Sequence, residues 1–167
     1  ANYESSNDAY FRALEFAKLA KAPRLESICL NNIGDNFFSL KNYDKCRQYT
    51  TSAIAINERL EAWRGVAINY ELLHQCDLAE GLYKSAHQKL DTGFHYALLS
   101  NEEYILATYY LGYGKLAALS NDMEQARHFF IKAMQEAKVQ NDLRNQYSVY
   151  IARVEYLKEL SEGLKLA

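Results

Sequence analysis

Proline and glycine are scarce. The 167 residues contain one proline and seven glycines. Sandwiches and barrels need a turn every few residues, built mostly from those two residue types and from asparagine and aspartate. The shortage argues against an all-β fold and leaves room for long helices. Cysteine is also sparse: three residues, at 29, 46 and 76, with no C-x-x-C pair. An odd number at irregular spacing argues against a disulfide framework and points to a reducing, cytoplasmic setting. No apolar run has the length of a transmembrane helix, so no membrane partner is expected. No signal-peptide pattern is present, but the chain begins with Ala1, not Met, so that absence carries little weight. Charge of one sign is missing too. Nineteen basic and 21 acidic residues give a net charge of -2 without blocks, which speaks against nucleic acid as a direct partner. What remains is ordinary for one globular domain over 1–167: 49% hydrophobic and 24% charged residues. The exception is fourteen tyrosines, clustered at 104–113 and 147–156.

Catalytic and metal-binding patterns are equally thin. His74, His87, His95 and His128 form no zinc spacing. His74 reads as a turn residue between two helices, and His128 as a surface or helix-packing residue. Cys46 reads as a small, buried, inert thiol. Leu111-Gly112-Tyr113-Gly114-Lys115 lacks the further glycines and the preceding strand of a phosphate loop. Glu102 and Glu103 are neighbours on a helix and point apart. No catalytic residue, metal site or cofactor is therefore assigned, and no enzymatic activity is expected.

A repeat is present. Leu30, Ile33-Gly34 and Phe37 fall on one helix face, Tyr43 follows a short polar turn, and Cys46, Thr50 and Ala53 fall on one face of the next helix. Trp63, Val66-Ala67 and Tyr70, then Ala79, Tyr83 and Ala86, repeat the pattern. So do Tyr110, Tyr113-Gly114 and Ala117, then Ala126, Phe130 and Ala133. Small residues at Gly34, Ala67 and Gly114 allow a partner helix close, and large ones fill the flanking gaps. Tyr70, Tyr83, Tyr110 and Tyr113 are core on this reading, while Tyr104, Tyr109 and Tyr156 remain open between core and surface. Gly34 and Ala67 are 33 residues apart, Ala67 and Gly114 are 47. The surplus is placed at a turn around Asp91-Thr92-Gly93, followed by one long helix over 95–119. Helices are expected near 8–21, 26–40, 44–57, 60–74, 77–90, 95–119, 122–139 and 143–160.

These slots resemble the tetratricopeptide-repeat signature, although no copy has the usual proline after its second helix. The resemblance implies an all-α, right-handed α-solenoid of stacked antiparallel hairpins. Full repeats would lie at about 27–57, 60–90 and 95–139. Partial ones would lie at 6–21, with Tyr10 and Ala13 in second-helix slots, and at 143–167, where Leu160-Ser161-Glu162-Gly163 resembles a turn. Both ends look cut from a longer array.

In tetratricopeptide proteins the first helices line a concave groove that binds a protein or peptide. Carried over, the groove residues are Asn31, Asp35 and Phe38, then Arg64, Ile68 and Glu71, then Leu111, Lys115 and Ala118. Asp35 would repel a terminal carboxylate, so the carboxylate clamp of some family members is not expected, although Arg64 and Lys115 could meet an acidic group. The expected function is a non-catalytic protein- or peptide-binding scaffold. Two alternatives stay open. One is a sensor segment of a larger bacterial signalling protein with a DNA-binding or nucleotide-cyclase output. The other is a homo-oligomer assembled through open repeat ends.

Overall fold

The computed structural model describes residues 3–157, without the side chains of residues 3–5 and 104. The turn expected at 160–163 lies outside the described residues. Within them all regular structure is helical, and the chain divides into two compact units, Ala1–Ser100 and Asn101–Ala167. The first holds α1 (Tyr3–Leu19), α2 (Pro23–Ser39), α3 (Tyr43–Arg59), α4 (Trp63–Ala79) and α5 (Tyr83–Leu99). The second holds a short 3-10 turn (Glu103–Ile105), α6 (Leu106–Leu119), α7 (Met123–Val139), α8 (Leu143–Ala152) and a closing π-turn (Arg153–Leu157).

Helices begin at residues 3, 23, 43, 63, 83, 123 and 143, and the 3-10 turn at 103 takes the remaining place in this series. One helix and one three-residue turn thus occupy 20 residues, and a hairpin repeats every 40. The turns explain the regularity. Residues 21, 41, 61, 81, 101, 121 and 141 all have positive φ, between 50° and 74°. In the turn after α2, Asn42 N–H donates to the Phe37 carbonyl at 2.8 Å and Lys41 N–H to Phe38 at 2.8 Å. This pairing is the Schellman closure of a helix end. It recurs after α1, α3, α4, α6 and α7. Asn42, Asp122 and Asp142 then cap the next helix, each side chain accepting from the backbone N–H three residues on.

The 40-residue period corrects the expected register in the middle of the chain. Counting from Gly34, the close-packing slots are 34, 74 and 114, so His74 and not Ala67 takes the second. The expected break at 75–76 lies inside α4, and Asp91-Thr92-Gly93 lies inside α5. The long helix over 95–119 is interrupted between Leu99 and Leu106. The cause is geometric. Residues seven apart lie almost two full turns apart and share a helix face, so Val66-Ala67 imitates Leu73-His74. All four are buried. Gly93 is turn-like in composition but sits buried where the other hairpins carry Ala53 and Ala133, and packing overrides its local preference. The helices expected over 26–40, 44–57 and 122–139 agree with α2, α3 and α7 to within a few residues. The one expected over 8–21 starts five residues after the start of α1, and the one expected over 143–160 is α8 followed by the π-turn as far as the described residues reach.

In the first unit each helix packs on the next in chain order. Gly34 brings α2 against α3: a Cβ there would stand 2.5 Å from Thr50 Oγ1 and 3.4 Å from the Cys46 carbonyl oxygen. At the equivalent place, the buried His74 ring has its Nδ1 3.0 Å from the Ala86 carbonyl. His74 is therefore a core residue of α4, not a turn residue. Aromatic rings close the gaps. Tyr49 lies 5.5 Å from Phe37 and 5.7 Å from Phe11. Tyr96 stacks between Trp63 and Tyr70 at 5.6 and 5.9 Å. In the second unit a Cβ on Gly114 would meet the Phe130 ring at 2.5 Å. Phe130, Ala126, Ala133, Leu111 and Val149 make its core.

The tyrosines divide differently from expectation. Tyr109, left open by the sequence, is fully buried, in the slot that Cys29, Asn69 and Val149 also fill. Tyr83, expected in the core, is 46% exposed because it starts α5 beside a turn. Tyr156 is half-buried against the core of the second unit.

Candidate functional site

The expected groove residues fall in both units, and only those of the first can be described as one surface. Asn31, Asp35 and Phe38 lie on α2, and Arg64, Ile68 and Glu71 on α4. A chain of asparagine side chains fixes these helices. Asn69 Nδ2 donates to Asn31 Oδ1 at 2.7 Å, and Asn57 Nδ2 donates to Asn69 Oδ1 at 2.8 Å. Asn69 and Asn57 are buried and Asn31 is half-buried. Amides buried between helices must be paired, and this chain pairs them across α2, α4 and α3. Asn31 thus has a packing role at the inner margin of the face.

Outward from it, Asp35 and Arg64 are exposed, and Phe38, Ile68 and Glu71 are half-buried. Glu71 accepts a hydrogen bond from Gln75, one turn on. In the 40-residue register the partners of Asn31, Asp35 and Phe38 on α4 are Glu71, Gln75 and Leu78. Arg64 and Ile68 belong to the same side of α4 but about 10 Å towards its start, the length of seven helical residues. Gln75 and Leu78 are the face residues that sequence reasoning missed, and the period of the turns was the signal that would have found them.

In the second unit Lys115 is half-buried, whereas Leu111 and Ala118 are buried at 6% and 7% exposure. Leu111 belongs to the hydrophobic core with Phe130 and Val149. This corrects its assignment as a contact residue: the helix that carries it turns a wider apolar arc inward than α2 does.

Two further clusters lie in the first unit. Arg47 on α3 reaches Asp77 on α4, with Nη2 at 2.8 Å and Nε at 3.1 Å, and also meets Glu80. Ser85 on α5 donates to the other Asp77 oxygen at 2.6 Å. The buried Asp77 carboxylate of α4 is satisfied from α3 and α5, which makes the cluster a brace across three helices. Beside it the thiols of Cys46 and Cys76 touch, with Sγ atoms 2.9 Å apart. The hydrogen bond from Cys76 holds the Cys46 thiol below its ordinary value, while the same bond and burial push Cys76 well up. Burial, then the charge of Glu58, raises the Tyr70 phenol, which stays neutral. Among the described residues no group of three or more His, Cys, Asp or Glu side chains is placed to hold a metal ion, and no helix is long and apolar enough to cross a membrane.

No family model matches the sequence, and no curated protein does. Among solved structures, the chain is similar to aspartyl phosphate phosphatase F from Bacillus subtilis, with a TM-score of 0.85 at 17% sequence identity. The match covers 97% of this chain and 43% of that one, so the chain spans less than half the length of the protein it resembles. At that identity the likeness concerns architecture, and it agrees with the helices, turns and packing above: the chain has the fold of a tetratricopeptide-like stack of α-helical hairpins.

Proposed function

We propose that the chain is a tetratricopeptide-type, non-catalytic scaffold that binds a protein or peptide on the α2/α4 face. One observation carries this reading. Asp35, Glu71 and Gln75 form a polar row beside the half-buried Phe38 and Leu78, at the outer margin of the core, while the clusters with chemical potential are consumed by packing. Arg47–Asp77 braces three helices, and His74 fills a packing slot. A face of partly exposed apolar and polar residues on rigid helices suits an extended or helical peptide. Asp35 and Glu71 disfavour a terminal carboxylate at this spot.

The test is a peptide-library selection on the whole chain, followed by titration of the best binder. Asp35→Ala, at an exposed position, with Gln75→Ala, which removes a part-buried hydrogen bond to Glu71, should cost no more than about 1.5 kcal/mol of stability and weaken binding at least about tenfold, or ~1.4 kcal/mol. Gln48→Ala with Lys84→Ala, both exposed on α3 and α5, should leave binding unchanged. The opposite pattern refutes the face. The name of the structural neighbour supplies a direct control for the non-catalytic claim. Release of phosphate from an acyl phosphate, faster with the protein than with buffer, would refute it.

A further inference from the structure

We propose that Cys46 and Cys76 are a modification site: a buried dithiol that hydrogen peroxide converts to a reversible disulfide clipping α3 to α4. The two residues stand on different helices, 30 positions apart, with both side chains fully buried and their sulfurs 2.9 Å from each other. That is closer than two sulfur atoms ordinarily approach without a bond or a hydrogen bond between them. Bond formation asks for a further approach of under about 1 Å, since a disulfide is close to 2.05 Å long. The surroundings restrict the chemistry. Leu72, Phe37, Phe38 and Tyr43 pack around the pair, a wall that excludes charged or bulky oxidants and admits a small neutral one when the junction opens locally. Cys29 belongs to a different cluster, with Leu14, Leu30 and Ile33, and cannot act as a substitute partner.

The two thiols are also unequal. Cys46 receives the Cys76 hydrogen bond, has Thr50 Oγ1 at 3.9 Å and lies next to Arg47, and together these outweigh burial and the charge of Asp35 and favour its thiolate. Cys46 is thus the attacking sulfur and Cys76 the resolving one. In the first step the Cys46 sulfur takes one peroxide oxygen: an S–O bond forms, the O–O bond breaks, and the thiol proton leaves with the other oxygen as water. In the second step the Cys76 sulfur attacks the Cys46 sulfenic acid: the S–S bond forms, the S–O bond breaks, and hydroxide departs with the Cys76 proton as a second water. The two thiols lose two electrons in all, and one peroxide is reduced to two waters. A dithiol reductant reverses the change. The clip spans the junction between the α2–α3 and α4–α5 hairpins, the same junction that the Asn31–Asn69–Asn57 chain holds.

The experiment treats the folded whole chain with hydrogen peroxide, blocks remaining thiols with iodoacetamide under denaturing conditions, and reads mass and peptide map without reduction. The expected result is loss of two hydrogens, one alkylated thiol of the three, and a joined peptide holding Cys46 and Cys76 with Cys29 alkylated. Dithiothreitol before blocking should restore three alkylated thiols. Cys29→Ser should give the same crosslink. Cys76→Ser should give none and leave a sulfenic acid on Cys46 that dimedone traps. Three free thiols after treatment, a crosslink through Cys29, or a crosslink that forms only in urea would each overturn the proposal.

Discussion

Replacing Gly34 tests the central packing claim, and its effect can be worked from the contacts. A β-carbon at this position would lie 2.5 Å from Thr50 Oγ1, 3.4 Å from the Cys46 carbonyl and 3.5 Å from Leu72 Cδ2. The first distance is too short to hold, and Thr50, branched at Cβ and fully buried, has little freedom to turn away. Gly34→Ala therefore sets two effects against each other. Alanine gains about 1 kcal/mol of helix propensity over glycine, and overpacking costs roughly 1–3 kcal/mol. The expected net change is a loss of up to ~2 kcal/mol. Gly34→Leu places more atoms in the same gap and should lose more, about 3 kcal/mol or above. For a chain of this size each kilocalorie moves the melting temperature by ~2–4 °C, so the leucine variant should melt ~6–12 °C lower by circular dichroism. A cycle with Thr50→Ala separates the mechanism from general damage. Removing the hydroxyl that the new methyl meets should recover about 1 kcal/mol of the alanine variant's loss as a coupling energy. A leucine variant that melts with the parent, or a cycle without coupling, would refute the close α2/α3 crossing.

The turns should respond with opposite signs to opposite changes. Lys41, at φ 57°, should gain about 1 kcal/mol on replacement by glycine, while Gly81, at φ 74° in open space, should lose a similar amount as alanine; urea melts of both variants check this. Asn69→Leu removes the middle of the asparagine chain, strands the buried Asn57 amide and should cost about 2 kcal/mol by the same measurement. Arg47→Met leaves the buried Asp77 carboxylate with Ser85 alone and should cost roughly 3 kcal/mol; a parent-like urea midpoint would mean that Glu80 and Asp77 do not depend on the guanidinium.

The helices at both ends of the chain's reading were legible because their signals are local. Gly34 with Phe37 and Cys46 with Thr50 mark α2 and α3, and Gly114 with Phe130 marks the crossing of α6 and α7, although the start of α6 at Leu106 was placed at 95. Tyr10 and Ala13 were read in the register they occupy, one period before Thr50 and Ala53. The middle was misread because helical spacing has a near-symmetry at seven residues, and Val66-Ala67 satisfies the pattern as well as Leu73-His74 does. A histidine in a glycine slot gives no compositional hint. What would have broken the tie is Leu99-Ser100-Asn101-Glu102 beside Leu119-Ser120-Asn121-Asp122 and Val139-Gln140-Asn141-Asp142, three related turns at steps of 20. On the candidate face, Asp35 was placed by its offset from Gly34. Glu71 was reached only from the misplaced Ala67 slot, because a slip of seven residues carries one face position onto another, and Gln75 and Leu78 were lost with the register. The Cys46–Cys76 pair could not be read at all, since it depends on how two separate hairpins meet.

The even spacing of the turns also has a kinetic side. Contacts that tie the first unit together join residues close along the chain: Asn7 and Asn36 are 29 apart, Arg47 and Asp77 are 30, Asn31 and Asn69 are 38. Low sequence separation keeps loop-closure entropy small and folding fast. Because each hairpin leans chiefly on its immediate neighbours, ordering can begin at any of them and spread outward, so a nascent chain leaving the ribosome would acquire structure hairpin by hairpin without waiting for its far end.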